Sequence, residues 1–264
     1  MIDIAAGGVA GSVTVSISSW WGTFRPTGMY GRPADVVKVR PAPWLRSAPM
    51  KPTRSYAPEM TRQLLMEAAL DLFAERGFRE TSIQDVVERA GLTKGAFYHH
   101  FRTKEDALRI LHDAFLDLVT VEQDRALAEF SSPTEQLWHV TSAITQICIE
   151  YQKHVRVFYR ERHGLSGDVR VAVLAKRRVF TKRFQDIVAR GIAAGEFSVG
   201  PDADVAALGV LGTCIWAYQW YRPDGRRRPE EIADQLGRMA LLSVGVGPDR
   251  IRAIARSAGP GDPG

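Results

Sequence analysis

The segment from Thr81 to Leu108, TSIQDVVERAGLTKGAFYHHFRTKEDAL, constrains the fold more than any other part of the chain. Ser82 is a good helix N-cap and Asp85, three residues on, can bond back to it, so a helix should begin there and bury Ile83, Val86 and Val87. Gly91 should end it, because glycine adopts the positive φ of a helix C-terminus without steric cost. Thr93 can cap a second helix in which Phe97 and Phe101 stand one turn apart on one face. The opposite face carries Lys94, Gly95, Ala96, Tyr98, His99 and His100, a mixture of small, aromatic and hydrogen-bonding groups suited to the major groove of a nucleic acid. Two short helices about a glycine turn, one face apolar and one polar, read as a helix-turn-helix.

Charge is distributed in a way that supports this. From Arg89 to Lys104 the charged residues are Arg89, Lys94, Arg102 and Lys104, with no acid, whereas Glu59 to Glu88 holds seven acids against Arg62, Arg76 and Arg79. The whole chain carries a formal charge of +5, but residues 1–57 alone hold seven Lys and Arg against two Asp, a surplus of five, so the remainder sums to zero. Affinity for DNA must therefore be argued from the local patch and not from the overall charge.

The stretch from about Met60 to Leu108 resembles the DNA-binding domain of the TetR family of bacterial transcriptional regulators: LFAERGF closing a first helix, then TS, then AGLTKGAFYHHF, then KEDAL. The resemblance implies a supporting helix from Met60 to Glu75, a helix from Ser82 to Ala90 crossing the DNA backbone, and a recognition helix from Thr93 to His100. It also implies roles. Tyr98, His100 and Lys104 match positions that touch phosphate and set register. Thr81 or Ser82 would bond a phosphate through its hydroxyl and helix N-terminus. Lys94 is the leading candidate for base readout, since a lysine there reaches the acceptor edge of guanine. Gly95 and Ala96 would permit close approach, Gln84 and His99 are secondary candidates, and Thr93 completes the set of residues expected at the DNA.

The 57 residues before this domain are rich in Gly, Pro and Ser, with no lasting apolar period, and are expected to be poorly ordered. Translation from Met50 would leave a normal short arm in which Lys51 and Arg54 can enter the minor groove. Asp3 stands where a secretory signal would be basic, and no run of about 18 apolar residues exists to span a membrane. Cys148 and Cys214 lie in apolar stretches and give neither a disulfide framework nor metal spacing, which fits buried thiols in a reducing cytoplasm. No cofactor motif is present. There is no GxxxxGK[ST], HExxH or CxxC, and the six histidines lack useful spacing, so an enzyme is not expected.

Beyond Leu108 apolar residues recur at spacings of three and four, turn signals break the pattern, and nothing alternates as a strand would. Helices are predicted near 103–129, 133–152, 154–163, 168–194, 202–221 and 229–244, giving an all-α chain: a helix-turn-helix domain at 58–104, a helical ligand-binding and dimerisation domain at 105–248, and a flexible tail at 249–264. Val173, Arg177, Phe180, Phe184, Ile187 and Gly191 share one helix stripe, so Arg177 either meets the anionic group of a ligand or snorkels out to water or a local Glu. Other candidates for lining a ligand pocket are Trp138, Ile144, Tyr151, Phe158, Tyr159, Phe180, Phe184 and Trp216, most of which serve equally well as core. The segment 202–221 is nearly all apolar or small, with Gly209 and Gly212 allowing close approach, and pairs with the stripe Ile232, Leu236, Met239 and Ala240 as a symmetric homodimer interface would. A dimer also suits the motif, since two recognition helices must meet major grooves about 34 to 36 Å apart.

The run AYQWYRPDGRRRPEEIADQ resembles a subgroup of TetR-like repressors of actinobacteria that control fatty-acid and steroid catabolism, several of which sense acyl-CoA thioesters. The expected function is a regulator released from its DNA operator by a small apolar effector such as an acyl-CoA. A ligand-dependent activator, or a helical ligand-binding protein without specific DNA binding, are the alternatives.

Overall fold

The computed structural model describes residues 58–161, 163–198 and 202–257. The N-terminal expectations, the Met50 start and the Lys51 and Arg54 arm among them, lie outside the described residues. The described residues form ten helices and no strand: α1 (Pro58–Glu75), α2 (Ile83–Ala90), α3 (Lys94–His100), α4 (Lys104–Glu129), α5 (Pro133–Glu150), α6 (Gln152–Arg160), α7 (Gly167–Ala193), α8 (Ala203–Trp220), α9 (Pro229–Ser243) and α10 (Pro248–Ser257). The helix-turn-helix is α2 and α3, with α1 laid against both.

Local chemistry accounts for the boundaries. Ser82 accepts from Asp85 N while Asp85 accepts from Ser82 N, a complete capping box, and Gly91 closes α2 at φ 66°. Thr103 and Asp106 build the same box at the start of α4. Ser132 caps α5, which has Pro133 in its first turn. Asp202 accepts from Asp204 N and Val205 N to start α8.

A continuous core runs from the first domain into the second. Leu65, Met66, Leu72 and Phe73 of α1 meet Val86, Val87, Phe97 and Phe101, and continue through Leu108 and Leu111 of α4 into the helical domain. Each of these large side chains contributes roughly 1.5 to 3 kcal/mol through removal from water. In the second domain α5 is the central rod, contacting α4, α7, α8 and α9, which is why thirteen of its eighteen residues are buried.

The expected flexible tail differs from what is found. Residues 248–257 form α10, whose Ile251 and Ile254 are buried, and Arg250 reaches Glu196 at 2.7 Å. Two isoleucines one turn apart give the segment an apolar stripe to bury, a signal in the sequence that was short but readable.

Candidate nucleic-acid interface and effector space

Helix α3 is held rigidly and exposes one face. Phe97 and Phe101 are buried and meet with ring centroids 5.2 Å apart, anchoring the helix to α1. Lys94, Gly95, Tyr98 and His99 are exposed, with Ala96 and His100 half-buried at the edges. Tyr98 is 56% exposed, unusual for a large aromatic with no other covering group, and is steadied edge-on by Phe97. Burial, and after it the positive charges of His99 and Arg62, hold the His100 pKa below the usual histidine value.

Several residues expected at the DNA have internal tasks. Thr81 is buried and its hydroxyl donates to Gly77 O at 2.7 Å, which takes it out of reach of a phosphate. Ser82 donates its hydroxyl to Asp85 at 2.8 Å but stays exposed at the N-terminus of α2. Gln84 donates to Glu88 one turn on, and Thr93 accepts from Ala96 N at 3.2 Å. Arg89 makes a two-pronged pair with Glu75 at 3.0 and 3.2 Å, so the free cations of the patch reduce, among the described residues, to Lys94 and Arg102. Lys104 was expected as a phosphate contact. Its ammonium instead donates to Phe78 O and Thr81 O, both at 2.6 Å, and sits 4.3 Å over the Phe78 ring. Burial accordingly lowers its pKa. Lys104 ties the first turn of α4 to the connection between α1 and α2.

The helical domain sorts the expected ligand-lining residues into three groups. Tyr159 of α6 and Arg177 of α7 come together, with the guanidinium 5.4 Å from the ring, and Tyr159 stacks on Tyr218 of α8 at 6.3 Å. Phe180 and Phe184 of α7 are buried and meet edge to face at 5.9 Å. The second group is ordinary core: Ile144 is buried on α5, Tyr151 ends α5 against His154, and Phe158 packs on Phe115 and His112 beside α4. Trp138 lies against Gly237, where an added Cβ would overlap its indole, so it sets the distance between α5 and α9. The third group is Trp216, 60% exposed on the outer face of α8 and therefore no part of an interior pocket. Periodicity could not decide this, because α8 is apolar all round and tertiary packing chooses which side is covered.

Beside α7 lies an open recess of about 780 Å³, lined among the described residues by α7 alone, including Leu174, Arg177, Arg178, Thr181, Lys182 and Arg183. Arg183 is engaged by Asp124 at 2.8 Å and Lys182 by Asp186, while Arg177 and Arg178 have no acidic partner among the described residues. Arg178 went unremarked in the sequence because it falls off the apolar stripe.

On the outer faces of α8 and α9, Val205, Leu208, Trp216, Trp220, Met239 and Leu242 are exposed. Gly209 and Gly212 face open space, and with Thr213, Trp216, Trp220 and Leu236 they line a shallow recess of about 400 Å³.

The two halves of the chain match the two halves of one family. Residues 65–109 match the bacterial regulatory proteins, tetR family, and residues 131–244 match the tetracyclin repressor-like C-terminal domain. The chain belongs to the TetR family. The regulator PfmR from Thermus thermophilus is 31% identical with a TM-score of 0.62, the match covering 69% of this chain and 98% of that one. The HTH-type transcriptional repressor KstR2 of Mycobacterium tuberculosis is 28% identical over 183 residues, 69% of this chain and 90% of KstR2. Its solved structure, that of a ketosteroid transcriptional regulator, gives a TM-score of 0.65 over 72% of this chain and 96% of that one at 26% identity. AibR, solved with isovaleryl coenzyme A and operator DNA, is 26% identical with a TM-score of 0.61, covering 68% and 97%. The chain is thus a helix-turn-helix transcriptional regulator of a family that binds operator DNA and small-molecule effectors as dimers. Among the described residues no helix is long and apolar enough to cross a membrane.

Proposed function

We propose that this protein is a homodimeric repressor that leaves its operator when an apolar, anionic effector such as an acyl-CoA thioester enters the helical domain. The observation that carries the reading is the pair of faces on one frame: an exposed α3 face presenting Lys94, Tyr98 and His99, and Arg177, without an acidic partner among the described residues, seated over Tyr159 at the edge of an aromatic interior. Repression and an acyl-CoA are supported by the name of KstR2 and the isovaleryl coenzyme A of AibR. In this reading Arg177 and Arg178 hold the anionic part, and Phe180 and Phe184 border the acyl part.

Two copies would meet through α8 and α9. The exposed tryptophans of one protomer supply large apolar surface, and the stripe of Gly209, Gly212 and Thr213 supplies a concave face for it.

Helix α6 provides the connection between sites. It carries Tyr159 toward Arg177, and it also carries Lys153, paired with Asp71 of α1 at 2.6 Å, and Arg160, which donates to Phe73 O of α1. At the start of α7 the Ser166 amide donates to Glu105 of α4 at 2.6 Å. An effector that displaces Tyr159 moves a nine-residue helix already fastened to the DNA-binding domain. Linkage requires that operator DNA weaken effector binding by the same factor.

The test is a gel-shift on the DNA upstream of the protein's own gene, titrated with acyl-CoAs of increasing length. Release by an acyl-CoA, reduced at least tenfold in Arg177→Ala while operator affinity is unchanged, is the expected result. Equal titration of Arg177→Ala and wild type rejects the ligand role of Arg177, and failure of every acyl-CoA rejects the effector class.

A further inference from the structure

The turn between α8 and α9 gathers cations at a place the fold fixes. From Tyr221 to Arg228 it carries Arg222, Arg226, Arg227 and Arg228 against Asp224 alone, and all five are exposed. Four minus one leaves a surplus of three positive charges, in a chain whose residues from 58 onward sum to zero. Pro223 presets the φ that the second residue of a turn needs, Gly225 N donates to Arg222 O at 2.9 Å, and a Cβ on Gly225 would stand 2.9 Å from that same oxygen. Little within the protein neutralises the charge. Arg222 donates to the carbonyls of Gln219 and Tyr221, Arg227 to the neutral amide of Gln235, and Arg228 meets Glu231 at 3.5 Å. Arg226 has no acidic partner and no hydrogen bond from its side chain among the described residues.

Bonds at the two ends of the α8–α9 hairpin show which way it points. At the turn, Gln152 at the start of α6 donates to Tyr218 O at 3.0 Å and Tyr221 O at 3.1 Å, and its neighbour Lys153 pairs with Asp71 of α1 at 2.6 Å. At the open end, Ser198 N donates to Val244 O at 2.9 Å, and Glu196 accepts from the hydroxyl of Ser132, the cap of α5, at 2.8 Å. Helix α4 runs 26 residues, about 39 Å, from the DNA-binding domain to that open end. The arginine turn therefore lies at the end of the helical domain that rests on the DNA-binding domain.

In a dimer joined through α8 and α9, the two turns flank the two-fold axis between the two DNA-binding domains. Recognition helices set in successive major grooves leave the minor groove at the operator centre facing that axis. We infer that the α8–α9 turns of both protomers form a further DNA contact there, in which Arg226 and Arg227 meet the phosphates bordering the central minor groove. A guanidinium fork suits phosphate oxygens, and contacts of this kind carry affinity and register without reading sequence. Around α3 the free cations, among the described residues, are Lys94 and Arg102, so Arg226 and Arg227 double the number each protomer brings to the DNA. The inference rests on the α8–α9 dimer reading above.

The test uses an operator duplex selected from a random pool by the full-length wild-type protein, with affinity measured across a salt series for wild type, Arg226→Gln and Arg226→Gln/Arg227→Gln. Both variants change exposed side chains, so their melting temperatures should stay within about 2 °C of wild type. Two arginines from each of two protomers neutralise up to four phosphates, so the double variant should show a slope of log affinity against log salt shallower by about 2 to 4. Near physiological salt it should bind about tenfold or more weakly, the single variant falling between. Uncharged methylphosphonate linkages at the central phosphates should weaken wild type and leave the double variant unaffected, whereas the same linkages within the half-sites should weaken both alike. An unchanged salt slope, or a central substitution that weakens wild type and the double variant equally, overturns the inference. Sedimentation of Trp216→Glu reads the dimer separately: a variant that stays dimeric refutes the α8–α9 interface, and monomers together with an unchanged slope in the arginine variants refute the arginine contact alone.

Discussion

Replacing Lys104 with Met separates two roles that a lysine at the start of α4 can have. Methionine keeps the aliphatic stem but removes two charge-assisted hydrogen bonds, to Phe78 O and Thr81 O at 2.6 Å, and a cation lying 4.3 Å over the Phe78 ring. A hydrogen bond involving a charged group contributes about 1.5 to 3 kcal/mol, and the cation over the ring adds on the order of 0.5 to 1. The relief of desolvating the ammonium and the partial exposure of the site offset part of this, leaving a net loss of about 2 kcal/mol. For a domain of this size that is a fall of roughly 4 to 8 °C in melting temperature. Because the lysine fixes the connection between α1 and α2, operator affinity should drop with it, by about tenfold or more, as the recognition helix loses its fixed angle. The assay is melting by circular dichroism combined with operator affinity across a salt series. If the ammonium serves the fold, the melting temperature falls and the slope of log affinity against log salt stays put. An unchanged melting temperature with a slope smaller by about one would show that Lys104 contacts a phosphate, and the argument from its internal bonds would be wrong.

Further outcomes follow from the same structure. Trp216→Glu places a charge on the glycine-lined face of α8; sedimentation should show monomers and operator binding should weaken by about a hundredfold, since each half-site would then be held alone. Gly237→Ala puts a Cβ into overlap with Trp138 and 2.5 Å from Ser142 Oγ, forcing α5 and α9 apart at a cost of about 1 to 3 kcal/mol, read as a shift in the urea midpoint. Acid should destabilise the fold early. Burial lowers the His139 pKa from 6.5 to about 4 and that of His154 to about 3, so the unfolded chain takes up protons the folded one refuses. Stability is then full above pH 6.5 and falls below it, by about 2 kcal/mol per histidine at pH 5. The carboxyls of Glu67, Asp117 and Glu122, raised by burial, act in the opposite sense; a midpoint flat between pH 7 and pH 5 would count against the buried histidines. Lys94→Ala should weaken operator binding and relax sequence preference at one base pair by about 1 to 3 kcal/mol, which a competition series with single-base operator variants reads directly.

Much of the DNA-binding domain was legible because its information is local. Ser82 with Asp85, Gly91, and Thr93 are caps and turns whose partners lie within three or four residues, and Phe97 and Phe101 share a face by helical spacing alone. The internal bonds of Thr81 and Lys104 were not legible in the same way. Their hydrogen-bond partners are backbone carbonyls at a corner, and for Lys104 they lie 23 and 26 residues away. Nothing in the spacing of a sequence says that a lysine at a helix start will turn inward.

The helical domain divides along the same line. Its sequence determined that it is all helix, roughly where each helix begins and ends, and that Arg177 stands on an otherwise apolar stripe with Phe180 and Phe184. Periodicity describes one helix at a time. Which faces meet is decided by packing among several helices, so only the tertiary structure placed Arg177 on Tyr159, turned Trp216 outward and set Trp138 against Gly237.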